Sequence, residues 1–244
     1  MFTNWFLKQL PEGFFQGACD MHSHLLPAVD DGFASEEDAL EALRYLEQIG
    51  FRKMCLTPHF MENYPENTRD VITAKFEAFR SKAKEVTKIE LHLAAEHMVD
   101  DHFQEHYERG FLTLDKEKSL VLCETSYIMP PPALSDALFE VMQGGYQPVM
   151  AHPERYRYAD KGKYQRWKDR NYLFQLNLLS LSGAYGKEAL EKSLYLLNEG
   201  MYDYVGLDMH HLNSFQKYVP NIKLKTKEID LLHGLYEKNA TLFE

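Results

Sequence analysis

The sequence predicts an α/β fold, most simply a closed or nearly closed barrel of the TIM type, and three observations lead there. Short apolar runs alternate with amphipathic stretches along the chain. Strands alternating with helices imply a parallel sheet with right-handed crossovers. About seven such units share 244 residues, a natural length for one barrel of about 250 residues. Finally, nearly every apolar run ends in His, Asp or Glu, and the carboxyl ends of barrel strands form the rim where active sites are built. A doubly wound open sheet is the competing architecture. GxGxxG and GxxxxGKS/T are both absent, so its nucleotide-binding versions lose their usual support.

The elements follow in order. Gly17 to His22 reads as the first strand. Ser35 to Gln48 reads as a helix, because Ser35-Glu36-Glu37-Asp38 is an acidic variant of a capping box and Gly50 follows its end. Ala39, Leu40, Leu43, Leu46 and Ile49 give that helix one apolar face. Further strands are expected over Phe51 to Thr57, Ile89 to Ala95, Leu120 to Glu124, Gln147 to Ala151, Tyr172 to Asn177 and Tyr204 to Asp208. Helices are expected over Thr68 to Thr87, Ala133 to Gln143, Lys161 to Arg170, Lys187 to Asn198 and Lys225 to Lys238. No linker divides residues 1–244, so a single domain is expected, with residues 1–16 as an N-terminal arm packed on it.

Composition narrows the function. The formal net charge of −10 argues against a nucleic-acid partner, which would call for a basic patch. No apolar run approaches the roughly 20 residues that span a bilayer, and Met1 to Gly17 lacks the basic and long apolar regions of a signal peptide. Cys19, Cys55 and Cys123 are sparse and lie in strand-like runs, which suggests core residues in a reducing compartment. A cytoplasmic protein without membrane insertion is the expectation, and an oligomer is left open.

Ionisable residues gather at the strand ends. Asp20, His22 and His24 alternate along the first strand and so share a face. Two histidines two apart can ligate one metal, with Asp20 orienting an imidazole from behind. Alone, this pattern is weak. It is followed, however, by Asp30 and Asp31, then His59, Glu96, Glu124, His152-Pro153-Glu154-Arg155 and Asp208-Met209-His210-His211 at later strand ends. Buried carboxylates and histidines are costly without partners. A set this large fits shared cations, and imidazole with carboxylate suits manganese, iron or zinc; magnesium is a further candidate occupant.

Together these motifs, Asp20 to His24, Asp30-Asp31-Gly32, Thr57-Pro58-His59, Ala95-Glu96, Ala151 to Arg155 and Asp208-Met209-His210, resemble the PHP (polymerase and histidinol phosphatase) superfamily. They are most similar to its bacterial protein-tyrosine phosphatase branch, which is encoded with capsule and exopolysaccharide systems. The resemblance implies a distorted (β/α)7 TIM-like barrel of PHP type with three divalent ions, usually manganese. It implies one ion on His22, His24, Glu96 and Asp208, a second on Glu96, Glu124 and His152, and a third on Asp31, His59 and His210. Arg155 matches the family's phosphate-contacting arginine. Two departures stand out. The stretch from His211 to Gln216 lacks the arginine that tends to follow in relatives, and Phe60 to Tyr64 is acidic and aromatic where relatives are often basic.

The implied function is hydrolysis of phosphotyrosine on a bacterial tyrosine kinase that regulates capsular or exopolysaccharide synthesis, by attack of a metal-bridging hydroxide. Cations, rather than overall composition, would then attract the phosphate. His211 or a water on the metal is the candidate proton donor for the tyrosyl oxygen. A phosphocysteine route would need C-x5-R, yet the residues six on from Cys19, Cys55 and Cys123 are Leu25, Met61 and Met129. A histidinol-phosphatase-like small-molecule phosphatase or phosphodiesterase is the alternative, and a regulatory module without turnover the third reading. Pro130 to Pro132 reads as a stiff loop, with a wall of the cleft rim as the sharper alternative, and Met61 to Asn67 is a candidate lid. Tyr64, Tyr156 and Tyr158 are candidates for stacking on a phosphotyrosine ring. His92, His97, His102, His106 and His233 are read as non-ligands.

Overall fold

A computed structural model describes residues 7–115 and 119–244. In chain order the strands and helices are β1 (Lys8–Gln9), β2 (Cys19–Ser23), α1 (Glu36–Ile49), β3 (Lys53–Leu56), β4 (His59–Phe60), α2 (Arg69–Ala83), β5 (Glu90–Leu93), β6 (Glu96–Met98) and α3 (Phe103–Arg109). There follow β7 (Leu120–Glu124), α4 (Leu134–Gln143), β8 (Gln147–Ala151), α5 (Lys161–Asp169), β9 (Leu173–Asn177), α6 (Lys187–Asn198), β10 (Tyr204–Gly206), α7 (Leu212–Tyr218), β11 (Lys223–Leu224) and α8 (Thr226–Ala240).

The pairing makes a curled parallel sheet with helices outside it. β2, β3 and β5 pair in parallel, and β4, β6, β7, β8, β9 and β10 pair in parallel in that order. The strand expected over Phe51 to Thr57 stops at Leu56 and resumes at His59. Pro58 stands in the gap and has no N–H to give a ladder, although its carbonyl still accepts from Glu96 N at 3.1 Å. The strand expected over Ile89 to Ala95 is interrupted in the same way and resumes at Glu96, beside β4. These two breaks place His59 and Glu96 opposite each other in register.

First and last parallel strands meet at their carboxyl ends. Asp208 N donates to His22 O at 2.8 Å and His24 N to Met209 O at 3.0 Å. Further down, side chains take over from the ladder. Asp20 Oδ1 accepts from Leu207 N at 2.8 Å. Asn239, on α8, donates to Cys19 O and Val205 O and accepts from Val205 N. Buried backbone groups need partners, and Asp20 and Asn239 supply them at this seam.

The core has two parts. Strand alternation puts Leu120 and Leu122 on the same face as Glu124. These leucines pack with Cys55, Val149, Ala151 and Leu242 beneath the strand ends. A larger cluster fills the space between sheet and helices, and Phe14 and Phe15 of the arm are buried in it. Described residues of the arm also pair as β1 with β11, antiparallel; residues 1–6 lie outside the described part. The helix starting after Ser35 forms as expected, with Ser35 Oγ accepting from Asp38 N at 3.1 Å. No helix among the described residues is long and apolar enough to cross a membrane.

Candidate metal centre

Strand ends deliver the donors to a common hollow. β2 supplies His22, with His24 just beyond it; β4 supplies His59; β6 supplies Glu96; β7 supplies Glu124. His152 follows β8, and Asp208 and His210 follow β10. All but His210 are buried. Asp31 comes from the loop after β2, and its side chain is 59% exposed.

Glu96 is the hub. Its Oε2 lies 3.3 Å from His22 Nε2, 3.3 Å from His24 Nε2 and 3.1 Å from His59 Nδ1. Its Oε1 lies 3.0 Å from His152 Nε2. Asp208 Oδ1 is 3.5 Å from His22 Nε2 and 3.3 Å from His24 Nε2. Asp31 Oδ1 is 3.4 Å from both His59 Nε2 and His210 Nε2. Donors bound at roughly 2.1 Å to one ion sit about 3.0–3.5 Å apart, so these separations suit chelation. Hydrogen bonding alone leaves the set unsatisfied. Glu96 Oε2, His59 Nδ1 and His152 Nδ1 are buried without a hydrogen-bond partner among the described residues. The residues therefore fit divalent cations.

Grouped by proximity, the donors form three sets: His22, Glu96, His152 and Asp208; His59, Glu96 and Glu124; and His24, Asp31, His59 and His210. All nine expected ligands converge. The grouping is cut differently from the expected division, because His24 joins Asp31 and His210, and His152 joins His22.

The electrostatics follow from burial and pairing. Burial pushes the His22 and His24 imidazoles down, but the facing carboxylates outweigh it and hold both above the ordinary value. His59 is pushed up to about 10 despite burial and the His24 charge, because Glu96 and Asp31 face it. Asp31 is held well below the usual carboxylate range by His210 and His59. Burial and the neighbouring Glu96 push Glu124 up to about 7. His152 is lowered to about 4 by burial and by Arg155. The field that holds protons on His22, His24 and His59 is one a cation can satisfy in their place.

The imidazoles are oriented by Gln175, which the sequence did not single out, and by Asp30, which stands in a motif without an assigned role. His22 Nδ1 bonds Gln175 Oε1 at 3.0 Å, and the same oxygen accepts from His152 N at 3.2 Å. His24 Nδ1 bonds Asp30 Oδ2 at 2.8 Å, and Asp30 also accepts from Gly32 N and His59 N. Asp20 does not take the expected role. Its carboxylate turns to Leu207 at the seam, and no side-chain hydrogen bond joins it to the His22 or His24 ring. Gln175 had one signal: it lies two residues before Asn177 on β9, and so on the same face.

Backbone geometry serves the same end. His152 and Asp208 both have positive φ, 32° and 47°, a region that costs non-glycine residues about 1–3 kcal/mol and persists where surroundings enforce it. At Gly206 an added Cβ would stand 2.6 Å from His22 Cβ and 2.8 Å from Gln175 Nε2, so glycine lets β10 approach the ligand strand.

Arg155 closes one side. Its Nη1 donates to Asp208 Oδ2 at 2.7 Å, and Asn177 Nδ2 donates to the same oxygen at 2.6 Å. The guanidinium lies between the rings of Tyr127 and Tyr185, 4.4 and 4.2 Å from their centroids. Tyr127 Oη donates to Glu124 Oε1. A cavity of about 270 Å³ opens here, lined by Asp31, Arg155, Tyr185, Asp208, His210 and His211. His211 is exposed at its edge. Of the tyrosines singled out in the sequence, Tyr64 stacks parallel on His59, whereas Tyr156 and Tyr158 stack on each other, with Tyr156 fully buried. Tyr127 and Tyr185 are the rings at the arginine. Ile128 and Met129, just before Pro130, are exposed.

Comparison with known proteins gives concordant results. The family model for capsular polysaccharide synthesis, CpsB/CapC, matches residues 18–236. The tyrosine-protein phosphatase YwqE of Bacillus subtilis (strain 168) is 28% identical over 204 residues, covering 80% of this chain and 78% of the relative. The tyrosine-protein phosphatase CpsB of Streptococcus pneumoniae is 26% identical over 208 residues, covering 82% and 86%. Among solved structures, one from the crystal structures of YwqE and CpsB, described as metal-dependent tyrosine phosphatases, superposes with a TM-score of 0.78 at 23% identity, covering 92% of this chain and 93% of the other. A phosphotriesterase homology protein from Escherichia coli shares the fold more distantly, with a TM-score of 0.52 at 12% identity over 94% of this chain and 99% of that one.

Proposed function

This chain belongs to the capsular polysaccharide synthesis family CpsB/CapC, and we propose that it is a metal-dependent protein-tyrosine phosphatase acting in the cytoplasm on a bacterial tyrosine kinase of capsule or exopolysaccharide synthesis. The observation that carries this reading is the convergence of nine imidazole and carboxylate residues beside a caged arginine, in a chain whose relatives are tyrosine-protein phosphatases. The hydrogen bonds between β2 and β10 support a single domain built as a distorted (β/α)7 barrel of PHP type.

The three proximity sets would hold three divalent ions, with manganese the favoured occupant and Glu96 shared between two of them. When bound, such ions supply Lewis acidity for phosphoryl oxygens and generate a hydroxide nucleophile from water near neutral pH. The chain's own residues do the rest. Gln175 and Asp30 fix which nitrogens of His22 and His24 face the hollow. Tyr127 holds Glu124. Arg155, restrained by two rings and Asp208, presents its remaining N–H groups to the non-bridging oxygens that gain charge in the transition state. His211, exposed at the cavity edge, is placed to give a proton to the leaving tyrosyl oxygen, which needs less help than an alkoxide because its conjugate acid has a pKa near 10. Cys55 and Cys123 are buried, and burial pushes both thiols far up, so neither offers a thiolate.

The test is a substrate panel on metal-loaded protein: a phosphotyrosyl peptide, histidinol phosphate and a dinucleotide. Preferred turnover of the peptide is expected. Preference for histidinol phosphate or the dinucleotide would move the activity to the small-molecule phosphatase or phosphodiesterase reading.

A further inference from the structure

A second group of imidazoles converges on the outer side of the sheet, where the sequence offered no role for them. Glu96 faces the metal hollow, so its neighbour His97 on β6 points the other way. It looks into a cavity of about 350 Å³ between the loop after β4, the start of α2, and α3. His97 is 1% exposed. Neither ring nitrogen of His97, nor Nδ1 of His106, has a hydrogen-bond partner among the described residues. The two rings lie 5.6 Å apart, and Phe60 packs edge-on against both. A neutral imidazole offers one donor and one acceptor, and buried polar groups left unpaired are costly.

Independent features point to the charge of the occupant. The 15-residue helix α2 begins at this cavity, and its N-cap Thr68 makes no side-chain capping bond. Its first-turn N–H groups thus lack their usual acceptor, and such helix ends favour anions. Arg69 and Arg109 stand at the mouth. Arg69 reaches Gly110 O at only 3.4 Å, while Arg109 pairs with Glu105 at 2.6 Å, a bond an occupant would have to share. Two guanidinium groups gathered here, in a chain of net charge −10, repel metals. Among the described residues no three metal-type donors come together at this place.

We propose that this cavity is a second ligand site, for a small organic anion whose carboxylate or phosphoryl oxygens meet Arg69, Arg109 and the start of α2, and whose apolar body lies along Phe60 with a polar group towards His97. Asn67 lines the same cavity, and its Nδ2 donates to His59 O at 2.8 Å and Val29 O at 3.0 Å. The site stands on this geometry and not on the identity of the reaction.

Calorimetric titration of the metal-loaded protein with 4-hydroxybenzoate and with phenylphosphonate tests it, the two arms separating carboxylate from phosphoryl ligands. At least one is expected to bind at this site. Arg69→Gln and Arg109→Gln should each weaken binding about tenfold, the loss of a charge-assisted contact, while leaving turnover without ligand unchanged. Arg155→Ala should leave the binding in place. His97→Phe should also abolish it; should that buried variant misfold, the arginine variants still decide. Binding lost in Arg155→Ala but kept in Arg69→Gln and Arg109→Gln would locate the anion at the metal centre and overturn the proposal. So would the absence of binding by both probes to protein with a native melting transition.

Discussion

The two four-residue sets of the metal centre are held in different ways. His22, Glu96, His152 and Asp208 are all buried, and all but Glu96 are fixed by a further side chain or a backbone constraint. Gln175 bonds both His22 and the His152 backbone, while Arg155 and Asn177 bond Asp208. His152 and Asp208 also sit in a restricted backbone region. The outer set, His24, Asp31, His59 and His210, contains an exposed aspartate from a loop and a half-exposed histidine. In it, His24 is the ring bonded to a carboxylate from outside the ligand set, Asp30. Preorganised groups act without reorganisation when charge develops. On the proposed reading, the inner set would hold its cation more tightly than the outer set.

Substitutions should separate the two. Asp208→Asn removes an inner ligand that also anchors Arg155, so a fall in kcat of about 10³-fold or more is expected, with several kcal/mol of transition-state stabilisation lost. Asp31→Asn should cost less, about 10- to 100-fold, and should be partly restored by raising the metal concentration. Equal losses, or rescue of Asp208→Asn by metal, would break the distinction. Gln175→Leu leaves every ligand in place but frees the His22 and His152 positions. About 10- to 100-fold weaker metal binding is expected, and competition with a metallochromic chelator measures it. Unchanged affinity would show that the amide fills space only.

Protonation gives a subtler test. Without metal, burial and Glu96 push Glu124 up to about 7 from the ordinary 4.5. A folded-state value above the unfolded one means that the metal-free fold binds the extra proton and gains stability as pH falls through 7. A cation needs the carboxylate, so metal affinity falls over the same interval. The gap in Tm between metal-loaded and chelated protein should therefore narrow as pH drops from about 8 to about 6. A gap independent of pH would remove Glu124 from the ligand set.

Much of this was legible in the sequence, because strand ends mark themselves. A His or Asp that breaks an apolar run is visible, and strand parity told which side chains share a face. The partners behind the ligands were harder to see. Gln175 sits inside an apolar strand, where an amide looks like any tolerated polar residue, and Asp30 is hidden by its neighbour Asp31. Asp20 shows the limit of parity: facing the same way as His22 did not make it a partner, since the seam with β10 needed an acceptor for Leu207 N–H. The caging of Arg155 depends on Tyr127 and Tyr185, 28 residues before it and 30 after, and no local spacing could link them. His97 and His106 read only as non-ligands, because the cavity they share is made by α2 and α3 together.

Metal dependence is the central claim, and one measurement tests it most directly: hydrolysis of a phosphotyrosyl peptide followed through chelation and manganese return, with bound metal quantified at each stage. Activity should vanish as the metal is stripped and come back with it, and a Cys123→Ser variant should follow the same course at nearly the same rate. Turnover that persists in excess chelator, with no metal left on the protein, would contradict the account.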